Sequence, residues 1–295
     1  MPSLTDFISS LFRRKSSADA APAVKARIAG NFPDVKNTRQ IVIGTGQSVG
    51  IERSHNEDAL LVLTGQLTGT HPLPNFGLFI VADGMGGHRA GEIASAVSIR
   101  TVARMLTQET VMQLLKNDHN ELSTPLQDLL REALEEANRA VVEEVPGGGT
   151  TLTAAIMLGP QLTIGHVGDT RAYYIRDGKA EILTRDHSLV ERLKELGQLT
   201  PEEASVHPQR NVLYRAIGQG ANLEVDVLTQ PLPKGGGHLL ICSDGLWGVV
   251  PEDAILRIVN TAPHPQIAAQ ELVTAANSAG GPDNITVILV RFPKD

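Results

Sequence analysis

TLTAAIMLGPQLTIGHVGDTRAYYIRDGKAEIL, residues 151–183, carries four runs of strand length with almost no chain between them. The runs are Thr151–Leu158, Leu162–Val167, Arg171–Arg176 and Lys179–Leu183. Gly159-Pro160 separates the first two. Asp177-Gly178 separates the last two, a dipeptide suited to the left-handed backbone of a two-residue hairpin. Connections this short join antiparallel neighbours, because a parallel crossover needs a dozen or more residues. The spacing therefore predicts a sheet that is at least partly antiparallel and disfavours a Rossmann-type parallel one.

Upstream of this stretch, Pro146 and Gly147–Gly149 close a predicted helix. It is read as starting at Thr124 as N-cap, with Pro125 in the first position and Gln127 completing a capping box. Leu126, Leu129, Leu130, Leu134 and Val141 supply its buried stripe. An earlier helix from about Arg89 carries Ile93, Val97, Val102 and Leu106 at helical spacing. Strands are predicted from Ile41, over Ala59–Leu63 and over Leu78–Ala82. Downstream, residues 184–215 are polar, with a helix over Ser188–Leu196 and a helical turn over Pro201–Ala204. An irregular polar segment of that length inside a compact chain suggests a binding flap, and His187 and His207 within it read as loop packing. A strand over His238–Cys242, helices over Pro251–Asn260 and Gln266–Ala279, and a strand over Ile285–Val290 complete the reading. Residues 1–36 read as a separate flexible tail, in which Leu4, Phe7, Ile8, Leu11 and Phe12 space a short amphipathic helix; the folded domain is 37–295.

Bulk composition removes several function classes. Aromatic residues make up only 3% of the 295, which leaves few platforms for stacking bases, and the net charge of −7 lacks a basic footprint; no nucleic-acid partner is expected. The lone Cys242 cannot form an internal disulfide, and no run approaches the roughly 20 apolar residues that span a bilayer. These features predict a protein without a transmembrane segment in a reducing, cytoplasmic setting. Gly46-Gln47-Ser48-Val49-Gly50 spells a nucleophile elbow, but the residues after it carry no apolar helical face. Gly147–Gly149 lacks the lysine of a P-loop. Cys242 is no C-x5-R nucleophile, because residue 248 is glycine; it reads as core.

The chemistry lies in acids at strand ends. Asp83, Asp169 and Asp244 follow predicted strands, whereas Glu57, Asp58 and Asp283 precede them. In an antiparallel sheet those opposite ends share an edge, so acids from distant parts of the chain can converge. Neighbours in a strand point to opposite faces, so of Glu57 and Asp58 one is placed to reach an ion and the other to orient what lies behind it. Such clustering is costly unless cations are present. Oxygen donors without a His or Cys set predict hard ions, Mg²⁺ or Mn²⁺ rather than Zn²⁺. Arg53 offers a clamp for an anionic oxygen substrate. Two ions and an arginine suit hydrolysis of a phosphate ester by activated water.

R-S-H-N-E-D at 53–58, V-A-D-G-M-G-G-H at 81–88, G-T-T at 149–151, V-G-D-T-R at 167–171, C-S-D-G at 242–245 and G-P-D-N-I-T at 281–286 occur in that order. From about Gly46 to Val290 the chain thereby resembles the bacterial branch of the metal-dependent protein phosphatases, the protein phosphatase 2C family. The resemblance implies an α+β fold, a four-layer α-β-β-α sandwich with two mostly antiparallel sheets flanked by helix pairs, and a flap at about 187–211 beside the site. It implies a serine/threonine phosphatase acting on phosphorylated proteins with two Mg²⁺ or Mn²⁺ ions. Asp83 would bridge both ions, Asp244 and Asp283 would hold one, and Glu57 with the Gly84 carbonyl the other. Asp58 would hold water at the metals, Arg53 would grip the phosphate, and Asp169 with Asp244 matches a weaker third metal site of bacterial relatives. Met85 stands where family members with D-G-H have a proposed acid histidine; His88 and water at the metals are the candidates for that role. A cognate serine/threonine kinase and a monomeric state are further expectations.

Two other readings remain at the level of sequence. A pseudophosphatase acting as a binding module would show lost acids, and none is lost. A serine hydrolase would use Ser48.

Overall fold

Residues 41–66, 74–86, 89–116, 122, 124–232 and 235–293 are described by the computed structural model. The predicted tail 1–36, with its amphipathic helix, and His88 lie outside them. In chain order the strands are Val42–Ser48 (β1), Ala59–Gly65 (β2), Phe76–Ala82 (β3), Gly84–Met85 (β4), Gly149–Thr150 (β5), Leu152–Leu158 (β6), Gln161–Val167 (β7), Arg171–Arg176 (β8), Lys179–Ile182 (β9), Asp226–Pro231 (β10), Gly237–Cys242 (β11) and Ile285–Phe292 (β12). The helices are Arg89–Leu106 (α1), Met112–Lys116 (α2), Leu126–Glu144 (α3), Leu189–Glu195 (α4), Pro201–Ser205 (α5), Asp244–Trp247 (α6), Glu252–Thr261 (α7) and Pro265–Ser278 (α8).

The stretch 151–183 forms two hairpins, and its last turn works through backbone conformation: Asp177 and Gly178 have φ of 52° and 74°. Two five-stranded sheets result, ordered β1-β12-β11-β8-β9 and β10-β7-β6-β3-β2, and every pairing within them is antiparallel. Three apolar clusters set the layers. Phe79, Val81, Ile164, Tyr174, Leu239 and Ile288 lie among the residues packed between the sheets. Leu78 and Ile80 point the other way, to a cluster with Leu130 and Leu134 of α3 and Val97 and Val102 of α1. Leu240 and Leu289 meet Ile255 of α7 and Leu272 of α8 on the far side. Alternation along β3 thus feeds two cores at once, which is why all seven of its residues are buried. The arrangement is the predicted α-β-β-α sandwich.

Three local expectations need correction. Pro125, not Thr124, is the N-cap of α3: its ψ of 140° is not helical, and no side chain caps the helix, so the predicted box does not form. Ile93 is 44% exposed; Val97, Val102 and Leu106 are buried as expected, and the buried face of α1 is completed by Gly91, Ala94, Ser95 and Ser98, small residues that let the helix lie close to its neighbours. Strand β10 escaped the sequence reading. It is a half-buried edge strand against β7 that ends in Pro231.

Candidate metal centre

One edge of the sandwich collects the acids. Glu57 and Asp58 lead into β2, Asp83 follows β3, Asp169 lies two residues beyond β7, Asp244 opens α6 just after β11, and Asp283 precedes β12. A cavity of about 510 Å³ is bordered by Arg53, Glu57, Asp83, Gly84, Asp169, Asp244 and Asp283. Asp58 is buried behind it. Every acid predicted from the strand ends is therefore brought to one place.

Backbone contacts fix the approach. A side chain at Gly84 would meet the carbonyl oxygens of Gly91 and Glu57 at 2.3 and 2.5 Å, so only glycine lets the Asp83 turn, α1 and the Glu57 strand touch. Asp83 is tied to Thr151 twice: its amide donates to Thr151 Oγ1 (3.1 Å), and its carbonyl accepts from the Thr151 amide (2.9 Å). Asn284 joins the two ends of the motif series. Its Oδ1 accepts from the Glu57 amide (2.8 Å), and its Nδ2 donates to the carbonyls of Val49 and His55. Ser243 Oγ donates to Asp58 Oδ2 (2.9 Å) and accepts from the Thr286 amide (2.9 Å). Ser243, Asn284 and Thr151 stand inside the quoted motifs, but sequence reasoning gave them no role. For Ser243 and Asn284 the signal is position, each beside an acid at a strand end; Thr151 has no acid next to it in the sequence and meets Asp83 only once β3 and β6 pair.

The electrostatics are those of crowded carboxylates. Burial, and then repulsion from neighbouring acids, pushes the carboxyls of Asp58, Asp83, Asp169 and Asp244 above the usual aspartate range. Arg53 Nη2 reaches Asp283 Oδ2 at 2.7 Å and His55 Nε2 reaches Glu57 Oε1 at 2.8 Å. Among the described residues no three of these groups close on one ion-sized point, and two of the acids lean toward their basic neighbours. Two oxygens of these acids stay buried with no hydrogen-bond partner among the described residues, Asp58 Oδ1 and Asp244 Oδ1. An all-oxygen donor set with unpartnered, mutually repelling carboxylates fits hard divalent cations. The rival site does not form. Ser48 ends β1 and accepts from the Gly50 amide and Asn277 Nδ2, and residues 49–58 contain no helix.

Comparison with known proteins agrees. The model of the protein phosphatase 2C family matches residues 45–285. "Serine/threonine phosphatase stp" of Listeria monocytogenes is 37% identical over 245 residues, covering 81% of this chain and 91% of that protein. The crystal structure of the Mycobacterium tuberculosis serine/threonine phosphatase PstP/Ppp superposes with a TM-score of 0.71 at 32% identity, covering 86% of this chain and 99% of the other. A structure of the PstP catalytic domain in complex with two manganese ions gives 0.69 at 31% identity, covering 86% and 99%. The fold and the match define a protein phosphatase. The chain belongs to the protein phosphatase 2C family, and the bacterial serine/threonine phosphatases are the members it is similar to.

Proposed function

We propose that this cavity hydrolyses phosphoserine and phosphothreonine in proteins, with two Mg²⁺ or Mn²⁺ ions held between Asp83, Asp244 and Asp283 on one side and Asp83, Glu57 and the Gly84 carbonyl on the other. A third, weaker ion would take Asp169 and Asp244. The observation that carries this reading is the pair of buried, donor-less oxygens on Asp58 and Asp244 within a convergence of six acids. Bound divalent ions supply positive charge and a water acidic enough to attack phosphorus near neutral pH. Asp58, fixed by Ser243, orients water from behind the ligands. Arg53 is 55% exposed at the cavity rim, and its guanidinium grips the phosphoryl oxygens and offsets charge that grows in the transition state. His88, or water at the centre, returns a proton to the departing serine or threonine oxygen.

The test is p-nitrophenyl phosphate hydrolysis with Mn²⁺, with EDTA, and with Asp83→Asn. Loss of activity under chelation and in the variant is expected. Turnover that survives both sinks the metal mechanism, and turnover that survives them but vanishes in Ser48→Ala would favour the serine hydrolase instead.

A further inference from the structure

A second cavity, of about 430 Å³, adjoins the acid-lined one. The flap, through Val190, Ala204 and Arg210, forms one wall; Trp247, Val249 and Pro282 form the other. Arg53, Asp169, Asn211, Asp244 and Asp283 border both spaces, so they make one continuous groove. Its volume is in the range that binding pockets occupy.

Four cations line the second cavity, and three are committed. Arg53 holds Asp283 at 2.7 Å. Arg171 forks onto Asp186 at 2.7–3.1 Å and lies 3.6 Å over the Trp247 ring. Lys194 holds Glu191 at 2.6 Å. Arg210 is exposed on a turn next to Asn211, and its side chain has no hydrogen-bond or ion-pair partner among the described residues. An anion meeting Arg210 therefore gains attraction without breaking an existing pair, whereas a cation is repelled.

We propose that the groove takes the polypeptide on either side of the phosphorylated residue, and that Arg210 selects an anionic neighbour, a carboxylate or a second phosphate. This rests on the phosphatase reading above. With the phosphoryl group among the acids, the adjoining cavity is the open continuation along which flanking residues lie. Val190, Ala204 and Val249 receive their apolar stems, and the guanidinium fork suits either carboxylate or phosphate oxygens. Exposed charge pairs are weak and screened, so the selection is modest and salt-dependent.

The test compares kcat/KM, with Mn²⁺, for phosphothreonine peptides that differ at one flanking position carrying glutamate, alanine, lysine or a non-hydrolysable phosphonate residue. The flanking position is walked from two residues before to two after. Glutamate or phosphonate should be favoured about fivefold over alanine at one position, with lysine lowest. The preference should collapse toward one in Arg210→Ala, reverse in Arg210→Glu, persist in Arg210→Lys and flatten at about 0.5 M salt. Reading ratios between peptides removes any change in overall rate. Preference for the phosphonate alone assigns the subsite to a second phosphate; preference for both, or for glutamate alone, assigns it to anionic side chains generally. Equal rates across the peptides, or a preference that survives Arg210→Ala, overturns the proposal. Failure of the wild-type protein to hydrolyse p-nitrophenyl phosphate or any peptide overturns the phosphatase reading itself.

Discussion

Asp58 illustrates what the centre asks of single side chains. One of its oxygens has Ser243 as donor, the other has none, and the whole residue is 8% exposed. An acceptor left in that state costs about 1–3 kcal/mol, and more when charged. Burial and nearby acids lift the Asp58 carboxyl to about 7 and that of Asp244 to about 6, against about 3.9 for an unfolded aspartate. Between about pH 4 and 7 the folded chain then binds protons that the unfolded chain has released. Its stability in chelator should therefore fall as pH rises through that window. Urea unfolding at pH 5 and pH 7.5 in EDTA checks this, and saturating Mn²⁺ should flatten the dependence. A chelated protein more stable at pH 7.5 than at pH 5 would contradict it. The acids themselves were legible, since each interrupts or borders an apolar run. Ser243 and Asn284 were not, because a small polar residue beside a turn declares no partner until the neighbouring strands are in register.

At the level of elements, the flap is anchored where the acid-bearing turn is. His187 donates from its amide to the Gly168 carbonyl (2.7 Å), and its Nδ1 accepts from the Gly168 amide (3.0 Å). Its Nε2 faces Asp226 Oδ2 at 3.2 Å, and the Tyr214 amide donates to its carbonyl at the other root of the flap. Trp247 Nε1 donates to the Asp169 carbonyl from the opposite side (3.0 Å). The Asp169 turn is thus clamped between flap root and α6. His187→Ala should raise amide exchange at Gly168, Asp169 and the flap while leaving β3 and β6 protected; unchanged exchange at the turn would refute the clamp. His187 was read as loop packing, and it is buried at the root of the flap, 1% exposed. What the sequence hid is its tie to Asp226, because β10 alternates weakly and ends in proline. The cap of α3 was misplaced because Pro125 suits a first helical position by its fixed φ, but its ψ of 140° is extended, so the helix begins one residue later, at Leu126.

For the molecule as a whole, the interior between the sheets keeps the acids in register. Phe79 is fully buried there, beside Met157 and Ile164. Phe79→Ala should cost about 3–5 kcal/mol in urea unfolding with an unchanged slope, and a cost near zero would mean the sheets repack freely. The Asp177-Gly178 hairpin was readable because so short a turn permits few pairings, but strand order was not: the equally short link 168–170 between β7 and β8 carries the chain from one sheet to the other. Which sheet each strand joins was not readable from the strands; the resemblance implied only that there are two sheets, and the strand register assigns their members. Arg53 and Asp283, which meet at 2.7 Å, are 230 residues apart in sequence, and Asn284 on the last strand fastens the first acidic motif. A ribosome adding about 5–20 residues per second separates their synthesis by roughly 10–45 s. Throughout that interval the emerging polypeptide carries only part of the acid cluster, so under the function proposed above its power to erase phosphorylation is switched on only when nearly all of the domain has been translated.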